Sequence, residues 1–151
     1  MKALDYDGLD HVVDKIYDLI NSGGSADYIV EQGTSGIWTY RKWASGIAEC
    51  WGYQQYSNLS VTRQYGSVYL TAVGSPQAGP NFPFTISNPV VQRTVQGGNQ
   101  WILSGGDPST TNSGEFWICR PASATGVNVK VGIYAKGLWK EFTPSVSRLS
   151  P

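Results

Sequence analysis

The run Ile37-Trp38-Thr39-Tyr40-Arg41-Lys42-Trp43-Ala44-Ser45-Gly46-Ile47-Ala48-Glu49-Cys50-Trp51-Gly52-Tyr53 decides the fold. Successive side chains of a strand point to opposite faces, so alternate positions share a face. Ile37, Thr39, Arg41 and Trp43 fall on one side and Trp38, Tyr40 and Lys42 on the other. After the turn signal Ser45-Gly46, Ile47, Glu49, Trp51 and Tyr53 oppose Ala48, Cys50 and Gly52. Period-two alternation rich in aromatic and β-branched residues, broken by Ser-Gly, spells a hairpin. Opposite charges on facing strands attract, which places Glu49 to pair with Arg41 or Lys42. Trp38, Trp43, Trp51 and Trp117 are expected to fill the core between sheets.

Outward from this hairpin, the rest of the chain after residue 24 reads as further short strands: Tyr28 to Glu31, Leu59 to Thr62, Val68 to Val73, Phe82 to Ile86, Val90 to Val95, Trp101 to Leu103, Phe116 to Arg120 and Val127 to Ala135. Between them lie Gly33-Thr34-Ser35-Gly36, Gly74-Ser75-Pro76, Ala78-Gly79-Pro80-Asn81, Gly97-Gly98-Asn99 and the stretch from Gly105 to Gly114, all turn or loop formers. Many short strands without interleaved helices indicate an antiparallel β-sandwich, jelly-roll-like in character. With 151 residues the chain fits one such domain.

One helix precedes it. Leu9, Val12, Val13, Ile16, Leu19 and Ile20 recur at helical spacing, with Asp5, Asp7 and Asp10 near the start, where the helix dipole favours negative charge. Asn21-Ser22-Gly23-Gly24-Ser25 ends it and forms a flexible joint, dividing the chain into a helical segment (1–24) and a β head (25–151). A helix of about fourteen residues is marginal alone in water, so its apolar stripe needs cover. That cover is either the β head or sister copies, for Leu9, Val12, Ile16 and Leu19 also read as a, d, a, d of two heptads. The joint favours self-association, because a helix docked on its own head gains little from a swivel. The mixed Leu, Val and Ile at these positions do not single out a dimer and leave a trimer open.

The segment from Glu31 to Gly52, with Trp38, Tyr40, Arg41, Lys42, Trp43, Ser45, Gly46, Ala48, Glu49, Cys50, Trp51 and Gly52 in register, resembles the opening of the C-terminal β domain of tail-fibre tips and minor structural proteins of phages and prophages of gut Gram-positive bacteria. Leu4-Asp5-Tyr6-Asp7-Gly8-Leu9 and Val131-Gly132-Ile133-Tyr134-Ala135-Lys136-Gly137-Leu138-Trp139 are similar to the opening helix and closing strand of such proteins. The likeness covers about a third of the chain. It implies a homotrimeric virion part, packed through Leu9, Val12, Ile16 and Leu19 on the threefold axis, attached to other tail proteins and touching a bacterial cell-surface glycan.

Composition and chemistry narrow the function. Lys plus Arg and Asp plus Glu are 11 each, so the net charge is zero, whereas a phosphate-binding chain carries a basic excess. No apolar run reaches the ~20 residues of a membrane span, and the acidic start lacks a signal-peptide pattern. The expected location is therefore the virion, after synthesis in the bacterial cytoplasm. Cys50 and Cys119 lack metal-site spacing; two buried thiols are expected, although a disulfide stays open. His11 is the lone histidine and lies beyond the joint, so a nucleophile–His arrangement has no base. Among the acids of the head, Glu31, Glu49, Asp107 and Glu115, no pairing for glycoside cleavage stands out, and the Asp107 loop offers one carboxylate to a metal. No enzyme, cofactor or metal is expected. Exposed aromatics beside amides suit sugars, which makes Tyr53, Tyr56, Tyr65, Gln100 and Trp101 the ligand-binding candidates. The expectation is a receptor-binding head; a purely structural virion part and a glycan-cleaving enzyme are the alternatives.

Overall fold

The computed structural model describes residues 11–17, 27–71 and 76–141. Among the described residues, 11–17 are helical and nine strands follow: β1 (Ile29–Ser35), β2 (Trp38–Trp43), β3 (Ile47–Tyr65), β4 (Val68–Thr71), β5 (Gln77–Ala78), β6 (Ser87–Gln96), β7 (Trp101–Gly106), β8 (Glu115–Arg120) and β9 (Ala124–Leu138). The fold is mainly β and antiparallel, as the alternation of the sequence implies. Leu9, Leu19 and the joint at Asn21–Ser25 lie outside the described residues.

β1, β2 and β3 form a meander. Gly46, at φ +95°, supplies the left-handed residue that the β2–β3 turn needs, and its N–H donates to the Trp43 carbonyl at 3.0 Å. Trp139 closes over this turn, its backbone N–H donating to Gly46 and its indole to the Trp43 carbonyl, each at 3.0 Å. β3 is one 19-residue strand where two shorter ones were expected, and it holds β9 from Ile47↔Leu138 to Val61↔Ala124. Its opposite edge takes β2 along Ala48–Gly52 and β4 along Val61–Tyr65. The bulge that allows one strand to serve both is at Asn58, whose φ is +57°. β9 pairs with β6 on its other edge; β8 carries β4 and β5 on one side and β7 on the other.

All nine strands thus share one hydrogen-bonded sheet, and it is bent. Phe116 and Ile118 of β8 join Val129, Val131 and Ile133 of β9 in one buried cluster, with Trp38, Cys50, Val61, Phe82 and Ile86, although β8 and β9 are not paired. Such face-to-face packing is compatible with the expected sandwich. Cys50 and Cys119 are both buried and free.

Three local expectations are corrected. β1 runs through Gly33 to Ser35, so the turn comes later, at Gly36. Phe82 to Ile86 is not a strand: Pro80 and Pro83 lack the N–H groups a ladder needs. Instead the segment plugs the core with Phe82 and Ile86 and is laced to the 107–114 segment by Phe82 N–H to Thr111 O and Ile86 N–H to Thr110 O, both 2.8 Å. The third concerns the expected loop from Gly105 to Gly114: Gly105 and Gly106 end β7, and the loop proper, 107–114, is exposed at Asp107 and at 109–111 but tied into the core at its end. The Asn112 amide donates to Gly79 O (2.7 Å) and Asn81 Oδ1 (2.8 Å), and Arg93 donates to the carbonyl of the fully buried Ser113.

Phe116 is fully buried, packs edge-on against Tyr56 at 5.2 Å and carries the Arg93 guanidinium over its ring at 5.5 Å. Phe116→Ala is expected to cost about 3–5 kcal/mol of folding stability, measured by urea unfolding.

Candidate functional site

The inward residues of β9, Val127, Val129, Val131, Ile133 and Ala135, are buried, which forces Lys136, Tyr134, Gly132, Lys130 and Asn128 onto the opposite face. The β3 and β6 registers then set three rows across that face. Trp51, Tyr134 and Gln92 form the first, Tyr53, Gly132 and Thr94 the second, and Gln55, Lys130 and Gln96 the third. One wall is aromatic and the other is amide and hydroxyl.

Between the walls lies an open cleft of about 200 Å³, lined by Trp51, Tyr53, Gln92, Thr94, Gln96 and Tyr134 over a floor that includes Gly132. The missing side chain of Gly132 makes the depression. A Cβ there would meet Thr94 Oγ1 at 2.8 Å and the Tyr53 ring at 3.3 Å. The wall residues are held in place by their neighbours. The Arg41 guanidinium lies over Trp51 at 5.3 Å, and Lys130 Nζ lies over the Tyr53 ring at 4.4 Å.

Arg41 does face Glu49 in the β2–β3 register, yet the Glu49 carboxylate accepts its hydrogen bond from the Tyr134 hydroxyl at 2.6 Å. The expected side-chain pairing is corrected: Lys42 pairs with Glu31 at 2.9 Å, and Arg41 is spent on Trp51. Burial, and then the bond to Glu49, push the Tyr134 phenol up to about 12. The Glu31 carboxyl is held below its ordinary value by hydrogen bonds from Lys42 and Tyr40.

The five ligand candidates do not converge. Tyr53 is 52% exposed on the cleft wall. Tyr56 is corrected: it is half-buried on the inner face, packed on Phe116, with its hydroxyl donating to Ala78 O at 2.9 Å, and burial raises its phenol to about 12. Gln100 belongs to a second, solvent-open hollow of about 510 Å³ with Gln96, Arg120 and Asn128, where its amide donates to Gly97 O at 3.0 Å. Tyr65 lines a separate depression with Arg63, Leu70, Leu103 and Trp117. Trp101, 43% exposed, lines none of these three. The sequence reading missed Gln92, Thr94, Gln96, Gly132 and Tyr134. The signal for β6 was its alternation, with Val91 and Val95 inward and Gln92, Thr94 and Gln96 outward.

Trp51 is likewise corrected from core to cleft wall, and Trp43 and Trp117 are half-buried; of the four tryptophans assigned to the core, Trp38 is buried. Trp51 lies on the strand face opposite Cys50, so parity excludes it from the interior. Among the described residues no group of three or more His, Cys, Asp or Glu is placed to hold a metal ion, and no helix is long and apolar enough to cross a membrane.

Comparison with protein-family models, with curated proteins and with solved structures finds no match for the chain.

Tyr56 and Tyr134 hold their protons more tightly when folded than the ordinary phenol value of about 10. Their contribution to stability is therefore complete below about pH 10 and is lost as pH rises through about 12. Urea unfolding followed across this alkaline range is expected to show that decline, and Tyr56→Phe is expected to make it shallower.

Proposed function

We propose that this chain is the receptor-binding head of a phage or prophage tail fibre, and that the β3–β9–β6 face holds a bacterial surface glycan. The observation that carries the binding reading is the cleft itself. Two aromatic side chains from β3 stand opposite two glutamines and a threonine from β6, across a glycine floor. A sugar ring presents C–H groups on its faces and hydroxyls around its rim. Aromatic faces receive the former, and amide and hydroxyl groups exchange hydrogen bonds with the latter. The cleft is shallow and open, which suits one segment of a longer chain. Nothing in the reading asks the protein to break a bond: no carboxylate lines the cleft among the described residues, and Glu49, behind Tyr134, is engaged by its hydroxyl.

The virion setting rests on the resemblance of the Trp38–Gly52 hairpin to tail-protein domains. Assembly as a homotrimer rests on the helix. Val12 (47% exposed) and Ile16 (52% exposed) lie one turn apart on the helical residues 11–17, with Val13 also exposed. In this reading sister copies cover that stripe, and other tail proteins continue the shaft.

Binding is tested with fluorescently labelled protein on intact gut Gram-positive bacteria and on their fractionated wall polysaccharides. Wild type is expected to bind, and Tyr53→Ala and Trp51→Ala are each expected to weaken binding about tenfold without changing the unfolding midpoint by much, since both side chains stand on the outer face. Absence of binding across the panel would favour a structural virion part. For assembly, light scattering at micromolar concentration is expected to give a trimer, and Ile16→Asp is expected to give monomers; a wild-type monomer would overturn the trimer.

A further inference from the structure

The cleft does not end at its third row. Gln96 lines both the cleft and the hollow that contains Gly97, Gly98, Gln100, Arg120, Thr125, Gly126 and Asn128. The two depressions therefore meet at Gln96, and both follow the same outward column of β9, from Tyr134 through Gly132, Lys130 and Asn128 to Gly126. Eight residue steps of strand make a track of roughly 25 Å.

Charge is distributed unevenly along it. The cleft around Gly132 is lined by uncharged side chains. Past it the hollow holds Arg120, while Lys130, in the Gln55–Lys130–Gln96 row, keeps its ammonium back against the Tyr53 ring. No carboxylate lines either depression among the described residues. The guanidinium of Arg120 makes one side-chain hydrogen bond, from its Nη2 to Asn99 Oδ1 at 3.1 Å, and its Nε is buried without a partner among the described residues. Guanidinium groups carry five N–H donors, and a buried one left unused is costly. Lys130 has its ammonium against the Tyr53 ring and no carboxylate partner among the described residues. At the opposite end, Glu49 faces Arg41 and Lys136, its partners in the two registers, so that end carries one net positive charge.

We infer that the ligand is an extended glycan with an anionic substituent: its uncharged sugar lies in the cleft at Tyr53 and Gly132, and its acidic group lies beyond Gln96, met by Arg120, with the exposed Lys130 ammonium adding positive charge between the two. The inference rests on the proposed glycan-binding role of this face and names its substrate class. A carboxylate on a sugar ring and a phosphodiester between sugars share this chemistry.

The test is a glycan array printed with neutral oligosaccharides, uronate-bearing oligosaccharides and phosphodiester-linked sugar chains, probed with wild type, Lys130→Gln, Arg120→Gln, Arg120→Lys and Tyr53→Ala. Wild type is expected to bind one of the two anionic classes in preference to the neutral one, which tells the two sources apart, and binding is expected to fall with added salt. Arg120→Gln is expected to lower anionic binding about tenfold and leave neutral binding unchanged, with partial recovery in Arg120→Lys, and Lys130→Gln is expected to lower anionic binding more than neutral binding. Lys130 is exposed, so its variant keeps the test valid if Arg120→Gln folds poorly. Preference for neutral glycans, lowered by Tyr53→Ala but not by the charge variants, would overturn this inference and leave the binding head intact. Wild-type binding to none of the three classes would overturn both.

Discussion

β9 is hydrogen-bonded along both edges, to β3 over its full length and to β6 over its second half, and the rest of the molecule follows from that double pairing. A strand held on two sides cannot rotate, so its period-two alternation becomes a fixed division of space. Val127, Val129, Val131, Ile133 and Ala135 define the core side, and the intervening positions define the outer face. A slip of one residue in either register would send lysines inward and valines outward together, a change that burial alone forbids. Core and cleft are thus two sides of one constraint, and the cleft inherits its geometry from the packing behind it.

The core side is finished by backbone that belongs to no ladder. The 79–86 and 107–114 segments cross over Phe116 and are tied by Asn112, by the Trp38 indole to Asn81 O at 2.6 Å, and by Arg93 to the Ser113 carbonyl. Arg93 comes from β6, between the outward Gln92 and Thr94, so the strand that supplies the hydrophilic cleft wall also anchors the plug on the other side. Burial lowers the pKa of Arg93, the nearby Tyr56 offsets part of this, and its Nε has no partner among the described residues. A partly buried guanidinium beside an apolar interior is expensive, and what it achieves here is to fasten the 107–114 segment at Ser113.

How far the sequence could be read depended on keeping strand phase. Parity within the 37–53 hairpin separated Trp38 from Trp43 and Ala48 and Cys50 from Trp51, but the face that is buried, with Trp38, Ala48 and Cys50, was not told from the other. The same parity carried past Tyr53 would have put Gln54 and Tyr56 inward and Gln55 outward. The reading stopped there because Gln54 to Asn58 is polar, and Tyr56 was left among the surface candidates. What could not be read was the bulge: an asparagine at φ +57° in mid-strand looks in sequence like a turn. Tryptophan content misled for a related reason, since size argues for burial while position assigns Trp51 to the outer face. The cleft partners in β6 were visible as alternation but unassignable, because their pairing with β9 spans some forty residues of sequence and no local pattern encodes which strands meet.

That long-range pairing also separates the two ends of the molecule's work. Along β1-β2-β3-β9-β6 the chain enters at one edge and the glutamine wall forms the other, four strand spacings or roughly 19 Å away. The exposed apolar side chains Val12, Val13 and Ile16 precede β1 in the chain, as do Tyr28 and, at its start, Ile29 and Val30, which are also exposed. Much of the exposed apolar surface thus lies on the segment leading into one edge, with Val90 on β6 and Tyr65, Trp101 and Leu103 exposed elsewhere, while the cleft spans the strands toward the other edge. An assembly formed through that N-terminal segment leaves the cleft free. An assembly through the β6 edge would compete with it, for Gln92, Thr94 and Gln96 cannot serve a ligand and a neighbouring subunit at once.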